Sequence, residues 1–213
     1  TRSSKEVQDT DSENFTSKLT SVLKESYRVL KDEGLLVFTY HHSRVEGWVS
    51  VYQAVREAGF YVTNAHPVKA EMSVSIPIQQ ATSPVHFDLI LVCRKANSSY
   101  PELKSKELPM LACANETKVI ISKLIQAGME IGMGDAKVIL MGKILTRLPV
   151  TNDLSEEIAK IYSIEKQVDS MAENLLEDAK LQVKRTDQGF TTPNSIESHS
   201  ELQSTARQAR LPW

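Results

Sequence analysis

Apolar residues in the first third of the chain recur at two periods, and the change of period marks the elements. Over residues 13–30 they fall at Phe15, Leu19, Val22, Leu23, Tyr27 and Leu30, the spacing of one helical face. Asp32-Glu33-Gly34 ends that run, with glycine as the stop signal. Residues 35–40, LLVFTY, are apolar almost without alternation, which predicts a strand buried on both faces of a parallel sheet. Helical spacing returns over 46–58 through Trp48, Val49, Tyr52 and Val55, with Gly59 after its end. GFYVTNAHPV predicts the next strand, residues 72–84 with Pro77 and Pro84 a long loop, and HFDLILVCRK a further strand. The last two strands adjoin without a helix, so they are expected to pair as a long antiparallel hairpin. A parallel strand, a crossover helix and a terminal hairpin together predict an α/β fold: the back half of a doubly wound sheet, without its front half.

The pattern divides the rest of the chain. Residues 1–12 are polar and read as a flexible N-terminus, and 13–95 hold the α/β part. Residues 96–112, polar with two prolines, read as a linker. A helical extension over 113–184 follows. Its first pattern, 115–130, carries Val119, Ile120, Leu124 and Ile125; the second, 135–148, takes Asp135 as N-cap. The third, 154–184, starts behind a capping box of Asp153 and Glu156. Residues 185–213 are rich in Ser, Thr and Gln, the composition of a disordered tail.

Charge and cysteine content narrow the function classes. A net charge of −2 and a pI of about 6.2 give no global basic field for nucleic acid. DNA contact would need a local patch or sequence beyond this chain. Cys93 and Cys113 form no C-x-x-C, so they read as buried, reduced thiols of a cytoplasmic protein. No apolar run approaches the ~20 residues that span a bilayer, and no membrane partner is expected. The opening TRSSKEVQDTDSENF lacks an apolar signal core and an initiator methionine, which suggests a processed chain or a piece of a longer one.

One stretch carries a family likeness. The phrase R-V-L-K-x-x-G-L-L-V-F from Arg28 to Phe38, the ending Tyr40-His41-His42, Trp48 in the next helix and the Ala58-Gly59-Phe60 turn stand in one run, followed by FDLILVCRK. This run resembles the C-terminal part of a class I S-adenosylmethionine-dependent methyltransferase. The closest likeness is to adenine-specific DNA methylases whose longer members carry a zinc-ribbon segment. It covers about residues 14–95, and the helical part more faintly. It implies a complete enzyme that moves a methyl group from S-adenosylmethionine to the exocyclic amine of an adenine flipped out of DNA. It also implies that the cofactor loop and the Asp- or Asn-Pro-Pro-Tyr segment lie upstream of Glu13. On that reading this chain holds neither catalytic nor cofactor-binding residues and is inactive alone. Its partners would be DNA in the complete enzyme, and an N-terminal methyltransferase half or a second copy. Two lookalikes are set aside. GMEIGMGD, from Gly128 to Asp135, follows helical periodicity and reads as a helix–helix corner. NSSY, from Asn97 to Tyr100, lacks both prolines.

Candidate site residues follow from position. Adjacent residues on a strand face opposite sides, so His41 and His42 do not share a metal ion, and no further ligand spacing predicts a metal site. Ligands of open α/β sheets bind beyond the carboxyl ends of the strands. Tyr40, His41 and His42 are therefore expected on a substrate-pocket rim, with Glu71 and Met72 where the next strand gives way to its loop. An equal alternative leaves one histidine hydrogen-bonded within the fold and the other in solvent. Trp48, Tyr52 and Tyr61 read as core or interface aromatics. Lys118, Lys123, Lys137, Lys143 and Arg147 read as a solvated basic face. Two rival functions stay open: a non-catalytic interaction module or split-methyltransferase partner, and a methyltransferase acting on RNA or a small molecule.

Overall fold

The computed structural model of the chain describes residues 6, 7, 9–70, 85–96 and 107–187. The loop at 72–84, Glu71, most of the expected linker and the tail beyond 187 lie outside the described residues. Within them the fold is mixed α/β, with three strands and six helices. Helix α1 (Ser12–Val29) starts at Asp11, whose carboxylate accepts from the Asn14 amide at 2.8 Å. Strand β1 (Leu36–Tyr40) follows, then helix α2 (Val45–Glu57) and strands β2 (Phe60–Lys69) and β3 (Phe87–Lys95). Gly59, at φ 88°, makes the turn from α2 into β2; an L side chain rarely adopts that conformation.

The sheet order is β1-β3-β2, and β3 is antiparallel to both neighbours. β1 and β2 therefore run in the same direction without touching, because the returning strand is inserted between them. The expected β2–β3 hairpin is present. The expectation for β1 needs correction: it is an edge strand whose one partner among the described residues is antiparallel. It is also not buried on both faces. Leu36, Phe38 and Tyr40 are half-buried, while Val37 is 51% exposed. An uninterrupted apolar run suits a buried strand, but it equally suits an edge whose outer face is left open.

Along β3, Phe87, Leu89, Leu91 and Cys93 are buried, and Asp88, Ile90 and Val92 on the other face are not. Helices pack on the buried face. The Tyr40 ring meets the edge of Trp48 from α2, with centroids 5.4 Å apart, and Phe60 meets Tyr27 of α1 at 5.2 Å. Phe60 is fully buried, which contributes roughly 1.5–3 kcal/mol relative to exposure.

The helical part begins earlier than its periodicity suggests. Helix α3 (Met110–Gln126) starts inside the stretch read as a linker. Its corner with α4 (Met133–Leu145) turns at Gly128, φ 78°, as the corner reading of GMEIGMGD expects. Asp135 is not the N-cap; Gly132 is, and the fully buried Asp135 carboxylate accepts from its amide at 2.9 Å. The same carboxylate accepts from the amides of His86 at 2.6 Å and Phe87 at 3.2 Å, tying α4 to the start of β3. Gly142 lies against Leu89 and Ala65, so α4 covers the sheet directly. The long third pattern is two helices, α5 (Leu154–Ser163) and α6 (Glu165–Asp187), broken at the buried Ile164. Asp153 does cap α5, accepting from the Ser155 amide at 2.9 Å. Its own amide donates to Thr151 Oγ1 at 3.1 Å, where a capping box would use Glu156.

Candidate functional site

The carboxyl ends of β1 and β2 and the start of β3 meet at one edge of the sheet. His41 and His42 leave β1 there on opposite sides, as strand alternation requires. His41 lies one residue beyond the last register pair of β1 with β3, Tyr40 with Leu89, and its Nδ1 contacts the carboxylate of Asp88, the residue before Leu89. This pair lies on the open face with Ile90 and Val92, and both side chains are partly exposed.

His42 turns the other way, into the helices. The backbone amide of Arg44 lies 3.1 Å from its Nδ1, and its carbonyl accepts from Trp48 Nε1 at 2.9 Å. The imidazole occupies the place a Cβ on Gly47 would take, so the bare glycine makes room for the ring. Tyr40 donates its hydroxyl to the Gly47 carbonyl at 2.7 Å, and burial pushes that hydroxyl well above its ordinary pKa. Tyr40 and His42 line a cleft of about 520 Å³ with Phe15, Arg44 and Glu46, within the size range of small-molecule sites. Of the five expected rim residues, the structure brings Tyr40 and His42 together and sends His41 to the opposite face. Glu71 and Met72 lie outside the described residues.

The aromatic expectations divide. Trp48 and Tyr52 are core, while Tyr61 is half-buried on the open face. Reading the five cations as one solvated face is corrected: Lys143 is buried and donates to the Ala65 carbonyl at 3.3 Å. Lys118 pairs with Asp178, Lys137 with Asp169, and Arg147 with Glu116. The carboxylates opposite them leave little basic field.

Sequence reasoning missed two carboxylates, Asp88 and Glu157, and gave Asp135 the wrong role, that of an N-cap. Asp88 and Asp135 are described above. Glu157, also buried, accepts from Tyr52 at 2.7 Å, Arg56 Nε at 2.9 Å and the Thr151 amide at 2.6 Å, fastening α5 to α2. Each multiply bonded carboxylate reads as a structural joint, since its acceptor capacity is already used. Cys93 and Cys113 are buried free thiols, pushed by desolvation to about 12 and about 11. Among the described residues, no group of His, Cys, Asp and Glu is arranged to hold a metal ion, and no helix is long and apolar enough to cross a membrane. The chain matches no protein-family model, no curated protein and no solved structure.

Proposed function

We propose that this chain is the C-terminal part of an S-adenosylmethionine-dependent methyltransferase, closest to the adenine-specific DNA methylases, and that it supplies sheet and pocket rim rather than reagents. The observation that carries the reading is the strand arrangement. β1 and β2 run the same way, joined by α2, with β3 returning antiparallel between them. This order is the one expected for the back half of a doubly wound sheet, which the run from Arg28 to Phe38 implies by its resemblance, and so supports the reading. The cleft at the carboxyl end of β1 lies where ligands of such sheets bind. Tyr40 and His42 would form part of its wall and leave cofactor and amine chemistry to groups outside this chain.

Calorimetry tests the division of labour. This chain alone should give no heat with S-adenosylmethionine, and a polypeptide extended upstream as its gene encodes should bind it. Micromolar binding by the chain alone would contradict the assignment of scaffold and reagent.

A second reading, a partner subunit that docks without catalysis, is favoured by the contrast between the sheet's two edges. The β2 edge is defended by an irregularity between Val62 and Asn64, by Pro67, and by Lys143 on the Ala65 carbonyl. β1 has no proline, charge or bulge, and Leu35 and Val37 are about half exposed beside it. Size-exclusion chromatography separates the readings. A self-associated species dispersed by Val37→Lys favours docking, and a monomer unaffected by that change counts against it.

A further inference from the structure

The outer edge of β2 borders a cavity of about 470 Å³, walled on its far side by the C-terminal turn of α4 and by Glu116 of α3. Lys143, in that turn, is the informative residue. It lines the cavity although it is only 9% exposed, and its ammonium makes one hydrogen bond among the described residues, to the Ala65 carbonyl at 3.3 Å. No carboxylate among them forms an ion pair with it. Lys95, the other buried lysine, has both the Leu30 carbonyl at 2.6 Å and the Asp32 carboxylate at 3.3 Å. A buried charge without a counter-ion is costly, and such charges are ordinarily paired.

The side chains beside Lys143 carry unspent donors. Asn64 Oδ1 accepts from the Ala65 amide at 2.9 Å, which fixes the side-chain orientation and leaves the Asn64 NH2 without a partner among the described residues. His66 is exposed and makes no hydrogen bond among them. Arg147 pairs with Glu116, the carboxylate of this cavity, yet its Nε is buried and unpartnered. Two cations therefore face one carboxylate. The C-terminal dipole of α4, worth roughly half a charge, lowers the excess without cancelling it. What the cavity lacks is negative charge and acceptors, and a phosphate group supplies both from one tetrahedral centre. A cation recessed in a cavity wall suits a small ligand, because the phosphates of duplex DNA lie along a convex surface.

We propose that the cavity between the β2 edge and the C-terminus of α4 binds the phosphate group of a small ligand, free phosphate or a phosphate monoester. Lys143 is its counter-ion, and Asn64, His66 and Arg147 are its hydrogen-bond donors. The site is independent of the methyltransferase reading. Inorganic phosphate and glycerol 3-phosphate are the probes. Titrated calorimetrically into the full chain in chloride buffer, they should bind saturably at one site. Tighter binding of the ester assigns the site to an organic phosphate, and tighter binding of the free ion to inorganic phosphate. Lys143→Met, which keeps length and removes charge, should weaken binding at least tenfold, as loss of a charged hydrogen bond does. Asn64→Asp keeps the acceptor for the Ala65 amide but replaces the donor with a carboxylate oxygen, and should weaken binding as much. His66→Ala should weaken it several-fold. Lys118→Met, whose ammonium pairs with Asp178, should leave it unchanged. Absence of saturable binding at tens of millimolar phosphate overturns the proposal. So does equal binding of acetate, an equal loss in Lys118→Met, or displacement of phosphate by duplex DNA. Melting curves identify any variant that fails to fold, and His66→Ala, at an exposed position, then decides.

Discussion

Replacing Gly47 with alanine should destabilise this protein, although a glycine-to-alanine change within a helix ordinarily stabilises by about 1 kcal/mol. The His42 imidazole fills the space the new methyl needs, and crowding of that kind costs roughly 1–3 kcal/mol. Removing the ring as well, with His42→Ala, should restore the ordinary sign. Urea unfolding of the two single variants and the double variant measures this, and simple additivity would contradict the account. The thiols give a test in pH. Burial raises Cys93 to about 12 and Cys113 to about 11, so the folded state favours their protonated forms. Their contribution to stability is therefore complete below the ordinary thiol value, near 9.0, and is lost as pH rises towards the folded values. Neither thiol should react quickly with a disulfide reagent at pH 8, and both should react once the chain is unfolded. At this scale the sequence was partly readable. Asp88 stands out as a charge inside an apolar strand, but its partner His41 lies 47 residues away and becomes visible only with the register. Glu157 and Arg56, 101 residues apart, were hidden for the same reason.

At the scale of elements, α1 shows why periodicity finds a helix more readily than its orientation. Its apolar positions fit two overlapping stripes. The stripe that faces protein runs Thr16, Thr20, Leu23 and Tyr27, whereas Val22 and Val29 stand in solvent. Helical spacing alone does not choose between stripes one residue apart, and the buried one is the more polar. Leu23→Ala should therefore cost about 2–5 kcal/mol, and Val22→Ser should stay within roughly 0.5 kcal/mol. Comparable losses at both positions, measured by thermal unfolding, would mean that the helix turns its other stripe inward. The boundary between α5 and α6 shows a similar limit. Nothing in the apolar spacing at Ile161, Ile164 and Val168 marks a break, since all three are buried on both sides of it.

At the scale of the whole molecule, strand order is what the sequence conceals. The hairpin between β2 and β3 follows from their adjacency, yet pairing of β3 with β1 depends on contacts between residues more than 45 positions apart, such as Tyr40 with Leu89. That insertion leaves β1 at the edge of the described sheet, with both faces unfinished: Leu36, Phe38 and Tyr40 half-buried beneath the helices, and Leu35 and Val37 open on the other side. Such an edge invites another strand. The methyltransferase reading fills it with the half of the sheet that would hold the cofactor. The most direct test of that reading is methyl transfer. Tritiated S-adenosylmethionine and unmethylated DNA would be incubated with this chain and with the polypeptide extended upstream as its gene encodes. The account predicts label on the adenine amino group with the extended polypeptide and none with this chain alone. No label on DNA from a folded, extended polypeptide would contradict it.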